Sequence, residues 1–350
     1  MQHDVTVIGG QASTQASLVV NPSRQRSILP APAKGWHNVP LFVFTHVVMD
    51  ILFDRYADAI RQLDLDAIAT TADIPAQFLL DRAGRYSSHY IPFESVNRAA
   101  RVVVVGISPG FAQWKNAMRE ARRQLARGAA TDEVLRAARQ AGAFSGAIRP
   151  NFVALLDAIG VQRWLGIASC ATLFGADADL VHIGAILRHP VFVDGKNYSG
   201  TPAMPRHPFL RNETLCYFAH EAALLPDALY IPMGASVGEA LDWLAGQGVL
   251  RAERILHGLP HPSGANAERV AYFLGRKERS ALSSRTNGAQ IDAARQRLLA
   301  QMDGLTAAGS GPAAIASQAP ISSSNTSTPS TPARTRSPGL SAATPDGVPE

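Results

Sequence analysis

Residues 101–113, RVVVVGISPGFAQ, constrain the fold more than any other stretch of the chain. Four consecutive valines read as a strand buried on both faces, and Gly106-Ile107-Ser108-Pro109-Gly110 then breaks it. Strand patterns at 102–105, 164–174, 228–234 and 254–260 alternate with helical spacing. The helical stretches are 41–63, 113–127, 131–141, 151–159, 212–225, 236–245, 267–281 and 289–299. Such alternation predicts an α/β protein, three-layer α/β/α with a four-stranded parallel sheet. Ligands of such sheets bind outside the carboxyl ends of the strands. Residues 189–200, HPVFVDGKNYSG, add a hairpin around Asp194-Gly195, a pair suited to a type I′ turn.

Both ends of the chain lack this pattern. Residues 1–38 are punctuated by Pro, Gly and Ser and read as an extended segment, and 39–305 form the α/β domain. Residues 306–350 are rich in Ser, Thr, Pro and Ala, too poor in large apolar side chains to offset chain entropy, and read as a disordered tail. VTVIGGQAS lacks the third glycine of a dinucleotide fingerprint, and no cofactor is predicted. No apolar run is long enough for a membrane span, and no signal-peptide pattern opens the chain. The two cysteines, Cys170 and Cys216, are too few for an iron–sulfur cluster or disulfide scaffold and read as small buried residues. These features point to a cytoplasmic, metal-independent monomer. A net charge of +5 favours polyanionic partners without establishing one. The arginines of REARRQLARG and LRAARQ read as a solvated helix face that can also track phosphate.

The pentapeptide at 106–110 fits G-x-S-x-G, the turn that presents a hydrolase's serine, and His261 comes last in the order Ser…Asp…His. Chemistry argues against that reading. An elbow needs a backbone N–H from the residue after the serine, and Pro109 has none. Proline also biases Ser108 toward extended angles.

The same loop has a partner near the other end of the domain, where the strand at 254–260 leads into PHPSGAN (260–266). A G-x-x-P-G loop after an early strand, with H-P-S after a late one, resembles the uracil-DNA glycosylase superfamily. The resemblance implies a uracil-DNA glycosylase-like fold and a pocket for a pyrimidine flipped out of DNA. It also implies cleavage of that base's N-glycosidic bond. His261 then stabilises the leaving base, and Ser108 stands where the family places its water-orienting residue. Gly106, Ile107, Pro109 and Gly110 form a pocket wall. Phe144 stands where the family stacks an aromatic on the base, and Ser169 where it reads the base edge. Ser263, Gly264 and Asn266 contact DNA, as do Lys196 from the hairpin and Arg206 from the segment after it; the hairpin also offers Asn197 and Tyr198 to the pocket. Gln113 contacts a ligand or begins a helix.

Two departures bear on function. The third residue of the first motif is usually Asp, Asn or Glu, and Ser108 is a poor base at neutral pH. The reading residue is usually Asn, and Ser169 makes fewer hydrogen bonds. The resemblance therefore implies a glycosylase acting on uracil or another damaged or modified pyrimidine. Two alternatives stay open: hypermodified bases of foreign DNA as substrate, or a silent member that binds bases without cleaving.

Overall fold

The computed structural model describes residues 52–142 and 148–309. The extended segment at 1–38, Phe144 and nearly all of the tail lie outside them.

Helix α1 (Phe53–Arg61) leads into a hairpin of β1 (Leu79–Ala83) and β2 (Tyr86–His89), to which the sequence analysis assigned no element. Strand β3 (Val102–Gly106) is the valine run, followed by α2 (Phe111–Ala126), α3 (Thr131–Gly142), α4 (Ile148–Ala158) and α5 (Val161–Leu165). Then come β4 (Val181–Ala185), β5 (Val191–Val193) and β6 (Lys196–Asn197). Helix α6 (Pro208–Glu213) runs through a π-helical turn at Thr214–Phe218 into α7 (Ala219–Ala223). Strand β7 (Leu229–Pro232), α8 (Ala235–Gly246), α9 (Ala267–Phe273) and α10 (Gly288–Ala307) complete the order.

Strand β3 lies at the centre of a three-stranded parallel sheet ordered β4-β3-β7. Its valines explain the position. Val102 and Val104 pack on one face against Phe152, Leu156, Phe273 and Leu298, from α4, α9 and α10. Val103 and Val105 pack on the other against Phe218, Ala222 and Leu241, from the α6–α8 side. A strand with a hydrophobic core on each face needs apolar residues at every position, hence no alternation. The result is an α/β fold with helices on both faces of a parallel sheet. Strands β1, β2, β5 and β6 make a separate antiparallel sheet, and Asp194 (φ 48°) and Gly195 (φ 73°) both take the left-handed angles of a type I′ turn.

Two strand expectations are corrected. Residues 164–174 form no strand: α5 ends at Leu165, and Cys170–Phe174 is a 3₁₀ turn. Glycines 160 and 166, both at positive φ, bracket α5, and Asp157 accepts hydrogen bonds from the Ser169 hydroxyl (2.6 Å) and the Cys170 N–H (2.8 Å). Local capping outweighs strand propensity there. The second strand is instead β4. The expected fourth strand reduces to one parallel bridge, Tyr230 with Ile255. Gly258 at φ 103° then turns the chain, and Pro260 has no N–H to continue a ladder. Among the described residues, no helix is long and apolar enough to cross a membrane.

Candidate functional site

A cavity of about 460 Å³ opens at the carboxyl ends of the parallel strands, within the usual range for small-molecule sites. Gly106 ends β3, Ala185 ends β4, Met233 follows β7, and His261 follows the Ile255 bridge; all four line it. Parallel strands deliver their loops to one side of the sheet, so residues far apart in sequence converge there.

The first wall is the 106–110 loop. The ladder with β4 continues past the strand, with Ile186 and Leu187 N–H groups donating to the Gly106 and Ile107 carbonyls (both 3.0 Å). The Ser108 Oγ accepts from the Val191 N–H (3.1 Å) and lies 3.3 Å and 3.4 Å from the Pro109 and His189 carbonyls. The hydroxyl therefore ties the loop to β5 and makes no hydrogen bond to His261, as a serine hydrolase would require. Gln113 lies in the first turn of α2 and lines the cavity: its Oε1 accepts from the Gly110 N–H (2.8 Å), and its Nε2 donates to the Gly142 carbonyl (2.8 Å). A Cβ on Gly106 would lie 3.7 Å from the Gly184 carbonyl oxygen, an ordinary van der Waals contact. A Cβ on Gly110 would come within 3.1 Å of the Asn197 amide nitrogen.

From the 260–266 loop, His261 lines the cavity and its neighbours hold it in place. The Ser263 N–H donates to His261 Nδ1 (3.3 Å), and Asn151 holds the Pro262 carbonyl (3.0 Å). An accepting Nδ1 puts the proton of a neutral imidazole on Nε2. Burial lowers the His261 pKa below its ordinary value, which favours that neutral form at pH 7. The motif thus sets one N–H donor at the cavity wall. Asn266 donates to the Ser263 hydroxyl (3.1 Å), closing the short 3₁₀ turn at Gly264–Asn266. Gly264 is exposed with open space around it.

The floor carries residues that sequence reasoning missed. Arg139 from α3 and Arg188, just beyond β4, both line the cavity, and both reach Glu221 on α7. Glu221 is 2% exposed; its Oε2 lies 3.2 Å from each guanidinium, and its Oε1 is 2.8 Å from His182 Nε2. Burial alone raises the Glu221 pKa, but Arg139, His182 and Arg188 outweigh it and hold the carboxyl well below its usual range. His182 Nδ1 accepts from the Asn97 N–H (3.4 Å), so its Nε2–H is the donor to Glu221. Arg139 is buried, whereas Arg119, Arg122, Arg123, Arg127 and Arg136 are exposed, so the solvated-face reading fails for this one arginine. It also donates to the Ile183 carbonyl (2.8 Å) and to that of Phe93. Phe93 and Tyr198 add aromatic surface to the lining. Arg139 within a basic helix and Arg188 in a short loop gave no signal of this convergence.

Other expected residues lie elsewhere. Ser169 sits on no strand and does not line the cavity; its hydroxyl donates to Asp157 and accepts from the Ala171 N–H (3.1 Å). Asn197 is exposed, and its Oδ1 accepts from the Phe111 N–H (3.0 Å) at the start of α2, so it supports the wall from outside. Lys196 is exposed on β6, and Arg206 is exposed and pairs with Glu239 (3.4 Å). Phe144 lies outside the described residues.

No family model matches this sequence, and no solved structure matches it. It is 34% identical over 218 residues to the uncharacterized protein YoxB of Bacillus subtilis (strain 168), a match spanning 61% of this chain and 85% of that protein. Identity of that level over most of the relative's length is a property of common descent, and the chain belongs to the same protein family as YoxB.

Proposed function

We propose that this chain is a DNA glycosylase of the uracil-DNA glycosylase type, hydrolysing the N-glycosidic bond of a damaged or modified pyrimidine. One observation carries the reading: residues 106–109 of the first loop and His261 of the second, far apart in sequence, line one cavity at the carboxyl ends of the parallel strands. As the glycosidic bond breaks, negative charge develops on the base and positive charge on the sugar. The Nε2–H of His261 is a preorganised donor for the base oxygen, the logic of an oxyanion hole. The 106–109 backbone and Phe93 bound the base, and the Ser263–Asn266 turn meets the DNA backbone at the mouth. Lys196 and Arg206 extend that contact from the exposed hairpin side.

Ser108 favours a second reading. Its hydroxyl is engaged with backbone groups, which leaves no side-chain base in the first motif to activate water. A protein that binds a flipped base without cleaving it needs no such base.

An oligonucleotide panel carrying uracil, thymine mismatches, hypoxanthine and 5-substituted pyrimidines, single- and double-stranded, separates the two. Alkali-labile cleavage that falls about 10²–10³-fold in His261→Ala is the expected result. Salt-sensitive DNA binding with no abasic product from any base would replace the glycosylase with the base-binding protein.

A further inference from the structure

We propose that residues 275–287 form a DNA-phosphate-binding loop beside the His261 motif, held in place in advance by Glu268 and offering the exposed guanidinium groups of Arg276 and Arg285. DNA as the partner rests on the glycosylase reading above; the built loop rests on its own contacts.

The stretch GRKERSALSSRTN (275–287) leads from α9 to α10 and sets Arg276, Lys277, Arg279 and Arg285 against one carboxylate of its own, Glu278. A connection of that length with only a short 3₁₀ turn inside it is uncommon in a compact domain and usually serves function. This one is ordered around a single side chain. Glu268, on α9, accepts from the Lys277 ammonium (2.8 Å), the Ser283 N–H (3.1 Å), the Ser283 hydroxyl (2.6 Å) and the Thr286 hydroxyl. Lys277 first, then Ser283 and Thr286, hold that carboxyl well below the usual carboxylate range. Both ends of the loop therefore close on one charge. Arg276 precedes Lys277 and Arg285 precedes Thr286, so both exposed arginines flank residues that Glu268 grips.

The loop's cations divide by what they touch. Lys277 is held by Glu268, and Arg279 lies 3.8 Å from Asp292. Arg269 ties the loop to the second motif: its Nη1 donates to Asn266 Oδ1 (3.2 Å) and its Nη2 to the Arg285 carbonyl (3.4 Å). Asn266 donates in turn to the Ser263 hydroxyl, and the Ser263 N–H to His261. A continuous hydrogen-bonded path thus runs from His261 to the backbone of Arg285. Among the described residues, no carboxylate pairs with the side chain of Arg276 or Arg285, and both are exposed. An exposed guanidinium without a carboxylate is a planar donor that matches a phosphate's oxygens. On a loop already clamped, it need not be ordered at the moment of binding.

The test measures affinity of the full chain for a duplex oligonucleotide across a salt series, beside the cleavage panel. Arg276→Ala and Arg285→Ala are each expected to weaken binding about ten-fold, whatever the sequence, and to lower the salt slope by about one. Glu268→Ala separates a built loop from charge alone. Removing a negative charge near DNA tightens binding where only the field matters, whereas losing the clamp weakens it; about a ten-fold loss is expected. Should that variant not fold, Glu268→Gln, which keeps one acceptor for Ser283, is expected to weaken binding in the same direction. Tighter binding in the Glu268 variant, or unchanged affinity and slope in both arginine variants, overturns the loop. Excision that persists alongside that unchanged affinity leaves the glycosylase and removes the loop. Salt-sensitive binding that depends on both arginines, with no abasic product from any base, does the reverse. No DNA binding by the parent chain removes both.

Discussion

Glu213 and Glu221 lie on one continuous helical run, on either side of its π turn, and are almost equally buried at 3% and 2% exposed. Their charge states are opposite. Glu221, under the cavity floor, faces two guanidiniums and a histidine N–H and is held ionised. Glu213, against the antiparallel sheet, accepts one hydrogen bond from Ser88 (2.8 Å), and burial pushes its pKa up to about 7. Burial penalises both carboxylates alike, so the partners decide the outcome. A charge kept inside a protein at the cost of two arginines marks the region where an electric field is built. A carboxyl left to rise marks one where packing came first.

Removing the charge at each site tests the contrast most severely. Glu221→Gln leaves two guanidiniums without their carboxylate and should cost about 3–5 kcal/mol at pH 7, read by urea denaturation. Glu221 has a folded-state pKa below its unfolded value, so its contribution is full above the unfolded pKa and is lost as pH falls through the folded one. The gap between variant and parent should therefore narrow in acid. A loss under about 1 kcal/mol at pH 7 would mean that the cluster is not the anchor described.

Glu213 predicts the opposite slope. Its folded pKa of about 7 exceeds the ordinary 4.5, so between those values the unfolded chain sheds a proton that the folded chain retains. Parent stability should fall by about 3 kcal/mol as pH rises across that window. Glu213→Gln keeps an oxygen for Ser88 and removes the slope. The variant should match the parent near pH 4 and melt several degrees higher at pH 8. Parallel curves for the two proteins would contradict the raised pKa.

The smallest effect sharpens the comparison. Ser88→Ala removes the hydrogen bond that favours ionised Glu213, so the carboxyl's titration midpoint, followed by carbon NMR, should move higher still. At pH 8 the loss should be about 1 kcal/mol. An unmoved midpoint would show that Ser88 contributes no more than filler.

Sequence alone determined what local pattern encodes. Unbroken valines require a strand covered on both faces, and Asp194-Gly195 supplies the left-handed angles of its turn. The first loop motif marks a strand end, where the parallel sheet gathers its connections, whereas the second follows only the single bridge at Ile255. Ser169 and residues 254–260 were misread because capping by Asp157 and the turn at Gly258 are decided residue by residue and override strand propensity. Strand β4 escaped notice because VHIGA is short and interrupted by a histidine and a glycine whose reason, room for Glu221, comes from another element. Only the tertiary structure decided the cavity floor. Arg139, His182, Arg188 and Glu221 come from three elements and a loop with no shared spacing, and electrostatic energy depends on distance through space. Nothing along the chain records that distance until the sheet and its helices have packed.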